Sequence, residues 1–227
     1  MIGEKLKSIL EELPHSVKLV AVSKFHPMED ILEAYNAGQR RFGENRPQEF
    51  AAKAVQLPQD IEWHFIGHLQ TNKVKYMASF VSLIHSADSV KLLKEINKQA
   101  LKSERVVDVL LQLHVAAEET KFGFTPEEVV ALLENDEWKS WTHVRIVGLM
   151  AMATNTDDEE QIAQEFERVK NLFFVLKERF FAEEPSFRQL SMGMSGDYLI
   201  AQEHGSTMVR VGSMIFGYRD YSQPFQL

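Results

Sequence analysis

Lys24 closes the apolar run Lys18-Leu-Val-Ala-Val-Ser-Lys24, which has the composition of a buried β-strand. Nearly the whole chain away lies Met208-Val-Arg-Val-Gly-Ser-Met-Ile-Phe216, an apolar run with Arg210 inside it and Gly212-Ser213 following. A partly buried lysine amine has a lowered pKa and attacks carbonyl carbon. Backbone N–H groups left open by glycine bind phosphate, and Ser195-Gly196-Asp197 supplies a second such segment. If the chain closes into a barrel, the first and last strands are neighbours. Amine, guanidinium and phosphate seat then share one mouth, a grouping that suits an aldehyde carrying a phosphate.

Each residue also has a plainer reading. A lysine at a strand end is usually a solvated surface residue. Ser195 could simply cap a helix over 197–204, with Gly205 as its stop. Arg210, a charge within an apolar strand, needs a partner, and a salt bridge to Glu44 would supply one. His64 and His68 are four apart, but Gly67 and the strand-like context spoil a helical metal pair. His114 reaches a barrel mouth only if its strand register allows.

The elements that must position these residues alternate in type. Strand candidates are Lys18–Lys24, Arg40–Asn45, Trp63–Gly67, Ser82–Ser86, Val106–Val115, Val144–Met152, Gln189–Ser195 and Thr207–Phe216. Between them run amphipathic segments with ordinary helix punctuation. Thr125-Pro-Glu-Glu128 has the pattern of a capping box, and Ile162–Phe181 keeps apolar residues at helical spacing. A leading helix spans residues 2–13, ended by Pro14. Eight strand–helix units with one leading helix predict an α/β fold: a single (β/α)₈ TIM-type barrel over residues 1–227. An open doubly wound sheet is the alternative.

Composition sets the outer bounds. The 227 residues carry 44 % hydrophobic and 26 % charged side chains and a net charge of −8. That charge offers no basic face for nucleic acid. The absence of cysteine excludes disulfides and thiol catalysis. The acidic, amphipathic N-terminus is unlike a signal peptide, and no uncharged apolar run nears the ~20 residues of a membrane span. A cytoplasmic location is expected, with no membrane partner.

Seven motifs occur in order: Ala21-Val-Ser-Lys24, Phe42-Gly-Glu-Asn45, Trp63-His-Phe-Ile-Gly67, Leu69-Gln-Thr-Asn-Lys73, Gly148-Leu-Met-Ala151, Ser191-Met-Gly-Met-Ser195 and Gly205-Ser-Thr-Met-Val-Arg-Val-Gly212. Across almost the whole chain this resembles the pyridoxal phosphate homeostasis protein family, also called YggS-like or proline synthase co-transcribed proteins. The resemblance implies an alanine-racemase-like barrel binding pyridoxal 5′-phosphate, with Lys24 forming the internal aldimine. By the same resemblance Asn45 lies near the cofactor, Ser195 and the Gly212-Ser213 backbone hold phosphate, and Arg210 faces the pyridine nitrogen. The chain departs from the family pattern at Ser213, where threonine is common, at His114, where asparagine is common, and at Phe25-His26.

The resemblance implies a role in vitamin B6 and amino-acid homeostasis. The expected function is a non-catalytic carrier or regulator, a monomer, with apo-enzymes as candidate recipients of the cofactor. Arginine is donor-only and always charged, so against the ring nitrogen it restrains carbanion chemistry. Racemases of this architecture add a second domain, for which the stretch after the eighth strand leaves no room. A weak amino-acid racemase is the alternative, and an apo barrel acting only as a protein partner is a third.

Overall fold

The computed structural model describes residues 1–117 and 122–217. Eight parallel strands close into a barrel in sequence order: β1 (Lys18–Val22), β2 (Arg41–Glu44), β3 (Glu62–Phe65), β4 (Leu83–Ala87), β5 (Val107–Leu113), β6 (Val144–Ala151), β7 (Gln189–Ser191) and β8 (Met208–Val211). The barrel is sealed where β1 pairs with β8, from Lys18 opposite Met208 to Ala21 opposite Val211. This closure excludes the open sheet.

The helices are α1 (Ile2–Glu12), α2 (Met28–Asn36), α3 (Pro47–Gln56), α4 (Val90–Lys102), α5 (Pro126–Glu134), α6 (Glu159–Phe180), α7 (Tyr198–Glu203) and α8 (Ser213–Phe216). The capping box is present at α5, with Thr125 and Glu128 bonding reciprocally. Between β3 and β4 the chain makes only a 3₁₀ turn, Thr71–Tyr76.

Two apolar regions hold the barrel. The larger lies between strands and helices and includes Phe42, Phe50, Phe65, Phe166 and Phe187. The smaller fills the interior with Val20, Leu83, Leu110, Val147, Met150 and Met208. Strand residues on both faces are therefore buried, which is why their sequences are apolar without alternation.

Several strands are shorter than their apolar runs. β8 stops at Val211, and Ser213–Phe216 is a turn of helix. Gly212-Ser213 thus lies after the strand rather than in it, as the N-cap and first residue of α8. β7 stops at Ser191, and the chain bends through Gly193 at φ +93 before Ser195. Past Ser191 the backbone still meets β8, where Arg210 N donates to Gly193 O at 3.0 Å. β1 ends two residues before Lys24. In each case the chain leaves the sheet at the same mouth, where the strands' C-terminal ends gather.

Candidate functional site at the C-terminal mouth

Lys24 lies in the turn between β1 and α2 and is half-buried. Its neighbour Phe25 has φ 66, a left-handed conformation rare for a bulky residue. Hydrogen bonds fix that turn. Phe25 N donates to Glu49 Oε1 at 2.9 Å, and His26 N donates to Ser23 O at 3.1 Å. The Arg46 guanidinium lies 4.3 Å from the centre of the Phe25 ring.

Beneath the turn is a buried ionic cluster that sequence reasoning missed. Lys53 Nζ donates to Glu44 Oε1 at 2.8 Å, Glu49 Oε1 at 2.7 Å and Ser23 O at 2.9 Å. Ser23 Oγ donates to Glu44 Oε1 at 2.6 Å. Burial pushes the Glu44 carboxyl up to about 7, against the pull of the Lys53 charge. Glu44 is therefore committed to Lys53 and Ser23, which overturns a Glu44–Arg210 salt bridge.

Arg210 is buried in the barrel interior, where Nη1 donates to Ser191 Oγ at 2.6 Å and Nη2 to Ala151 O at 3.1 Å. Among the described residues no carboxylate lies within ion-pairing distance of it. Desolvation lowers its pKa to about 10, with Asp197 the charge that works against this. A spine of buried polar groups runs on from it. Ser191 Oγ lies 3.0 Å from His85 Nδ1, and His85 Nε2 lies 2.9 Å from His64 Nδ1. Burial pushes His64 down to about 3 and His85 well below its ordinary value, so both rings are neutral. His64, His85 and Ser191 were detectable by the signal that singled out Arg210: a polar side chain within an apolar strand.

Ser195 and Gly212 meet, with Gly212 N donating to Ser195 Oγ at 3.3 Å. Ser195 does not cap α7, whose N-cap is Asp197. Asp197 instead turns its carboxylate to Met194 N at 2.5 Å and shapes the loop that carries Ser195. Among the described residues, the backbone N–H groups of Ser195, Gly196 and Ser213 have no acceptor. Apart from its chain neighbours, no atom of the described residues lies within 4 Å of where a side chain on Gly196 would begin. The two segments, joined by the Gly212–Ser195 bond, thus carry several unused donors.

β1–β8 pairing sets the Lys24 turn beside Gly212-Ser213, and the contact is direct: the His26 and Phe216 rings stand 4.9 Å apart. The Phe25-His26 departure therefore belongs to the packing between the lysine turn and α8. Asn45 follows β2, the other neighbour of β1, and its Oδ1 is buried without a hydrogen-bond partner. Gly67 packs against the Asn45 backbone, because a Cβ there would stand 2.5 Å from Asn45 O. His114, half-buried, turns Nε2 to Ala116 O at 3.1 Å. No group of three metal-ligating side chains occurs among the described residues. No described helix is long and apolar enough to cross a membrane.

The family model for the alanine racemase N-terminal domain matches residues 2–220. The pyridoxal phosphate homeostasis protein of Aquifex aeolicus is 40 % identical over 96 % of this chain and 98 % of its own length. That of Vibrio alginolyticus is 42 % identical over 92 % of this chain and 89 % of its own. The solved structure of PipY from Synechococcus elongatus with PLP bound superposes with a TM-score of 0.87 at 36 % identity, covering 96 % of this chain and all of that one. Its structure without PLP gives 0.90. Motifs in order, a closed eight-stranded barrel, and identity along nearly the full length agree: the chain belongs to the pyridoxal phosphate homeostasis protein family.

Proposed function

We propose that the chain holds pyridoxal 5′-phosphate reversibly at the C-terminal mouth of the barrel and serves vitamin B6 and amino-acid homeostasis as a carrier or regulator rather than an enzyme. The residues there fit the group. Ser195, Gly196 and Ser213 N–H groups are unused donors for a phosphate, and Ser195 Oγ lies among them. Lys24 supplies an amine for the aldehyde, and Asn45 Oδ1, without a partner among the described residues, supplies an acceptor at the end of the neighbouring strand. When bound, pyridoxal phosphate supplies an aldehyde that captures amines and a ring that withdraws electrons.

The observation that carries the non-catalytic reading is Arg210. It is buried, cationic and donor-only, and its partners are a serine hydroxyl and a carbonyl. Against the pyridine nitrogen it would exclude a proton from that atom and weaken electron withdrawal. The PLP-bound structure of PipY supports the ligand, and the naming of the relatives supports the homeostatic role. A cytoplasmic, monomeric protein of one domain over residues 1–227, handing cofactor to apo-enzymes, completes the reading. A weak racemase is the second reading, favoured by the racemase-domain match.

Two measurements separate them. With ¹⁵N-labelled cofactor, NMR is expected to show an unprotonated ring nitrogen in the parent and a protonated one in Arg210→Glu, once binding to the variant is verified. Incubation with a panel of L-amino acids is expected to give no racemisation by the parent. A protonated nitrogen in the parent, or efficient turnover of any amino acid, contradicts the carrier.

A further inference from the structure

The opposite mouth of the barrel holds a second polar chamber. The first residues of the strands present Lys18, Arg41, Glu62, Asp108 and Arg145 around a cavity of about 360 Å³, with Arg188 joining from the approach to β7. A water occupies ~30 Å³ of liquid, so this space exceeds what one or two bridging waters fill.

Two of the four cations are neutralised locally. Arg41 pairs with Glu62 at 2.9 Å, and Arg145 grips Asp108 through two bonds of 2.7 and 3.0 Å. Lys18 and Arg188 have no carboxylate within ion-pairing distance among the described residues, leaving a surplus of two positive charges. Lys18 is held below the ordinary lysine range, first by burial and then by Arg41. Arg41 and Arg188 oppose its charge while Glu62 favours it, and a bound anion would add to the favourable side.

His64 lines the same cavity, and the buried spine dictates which of its nitrogens carries the proton. Arg210 has no acceptor capacity, so it donates to Ser191 Oγ. The only acceptor within reach of the Ser191 hydroxyl hydrogen, among the described residues, is His85 Nδ1. Neutral His85 then carries its proton on Nε2 and donates it to His64 Nδ1. Neutral His64 must in turn carry its proton on Nε2. Among the described residues that atom has no partner, and it is not sealed from solvent. The fixed charge at the upper mouth thus orients three hydrogen bonds and ends in a donor at the lower one.

We propose that the lower chamber is a second ligand site, for a small oxyanion of the phosphate or carboxylate class, held by Lys18, Arg188 and the Nε2–H of His64. The site stands on its own geometry and does not rest on the function proposed for the upper mouth. Because the spine joins it to Arg210, occupancy below and the hydrogen bonding of Arg210 above are linked, and any such coupling is reciprocal.

The probe is inorganic phosphate, titrated into the parent, Lys18→Gln, Arg188→Gln and Ser195→Ala while the His64 side-chain nitrogens are followed by ¹⁵N NMR. His64 is expected in the Nε2-protonated form, with a saturable shift as phosphate is added. Loss of either cation should weaken binding roughly tenfold, the scale of one charge-assisted hydrogen bond. Ser195→Ala alters the upper seat alone and should leave the His64 response intact. Arg188 is exposed, so its replacement tests the site without disturbing the core. An Nδ1-protonated His64, a response that never saturates, one that survives both cation changes, or one lost with Ser195→Ala overturns the proposal.

Discussion

Arg210 and Ser195 show how much a single side chain decides here. A guanidinium buried without a counter-charge is costly unless its donors are satisfied, and Arg210 is satisfied by Ser191 and the Ala151 carbonyl. That leaves its charge without an ion-paired carboxylate among the described residues, with Asp197 acting on it only from farther off. Ser195 is placed differently, as an acceptor for Gly212 N at a long 3.3 Å, so its hydroxyl is free to turn to a better partner. Ser195→Ala is expected to weaken pyridoxal phosphate by roughly 10- to 100-fold, the value of one hydrogen bond to a charged group. A spectroscopic titration of the apo-protein checks this, and unchanged affinity would remove Ser195 from the phosphate seat.

At the scale of elements, the Lys24 turn rests on α3. Glu49 and Lys53 are one turn apart on that helix, and both face inward to meet Ser23, Phe25 and Glu44. Lys53→Met removes the cation between two buried carboxylates. It is expected to destabilise the fold by about 3–5 kcal/mol in urea unfolding, the cost of stranding a buried charge. A loss below 1 kcal/mol would mean the cluster is not the support described. This cluster was not legible in the sequence, because a Glu–Lys pair four apart on an amphipathic helix is ordinarily a solvated surface pair. The barrel itself was legible, since eight apolar runs alternating with helical spacing leave few other folds. Strand ends were not. The apolar run through Phe216 looks continuous, yet the chain turns at Gly212 because α8 packs Ile215 into the core and Phe216 against His26. Lys24, Arg210 and the glycine segments stood out as candidates from their places at the expected strand ends, whereas His85 and Ser191, equally polar within apolar strands, become linked only when the fold brings β4 and β7 together.

For the whole molecule, buried titrating groups pull stability in opposite directions with pH. His64 and His85 refuse protons when folded, so the unfolded chain binds more protons below pH 6.5 and stability falls as pH drops through that range. Glu44 does the reverse. Its folded pKa is raised to about 7, so the native state binds more protons between 4.5 and 7, and stability falls as pH rises across that window. The histidines outnumber it, and a net rise in stability from pH 4.5 to 6.5 is expected from these three groups. Glu44→Gln removes the opposing slope and should steepen the rise by about 1.4 kcal/mol per pH unit. Parallel curves from unfolding at several pH values would show that Glu44 is ionised throughout. The central claim, that the C-terminal mouth holds pyridoxal phosphate through Lys24, is tested most directly by chemistry on the intact protein. Borohydride reduction of the cofactor-loaded protein, followed by peptide mapping, is expected to place the cofactor's mass on the peptide containing Lys24, with no adduct in Lys24→Ala. An adduct on Lys53 or Lys73 instead, or none from protein that has taken up the cofactor, would contradict it.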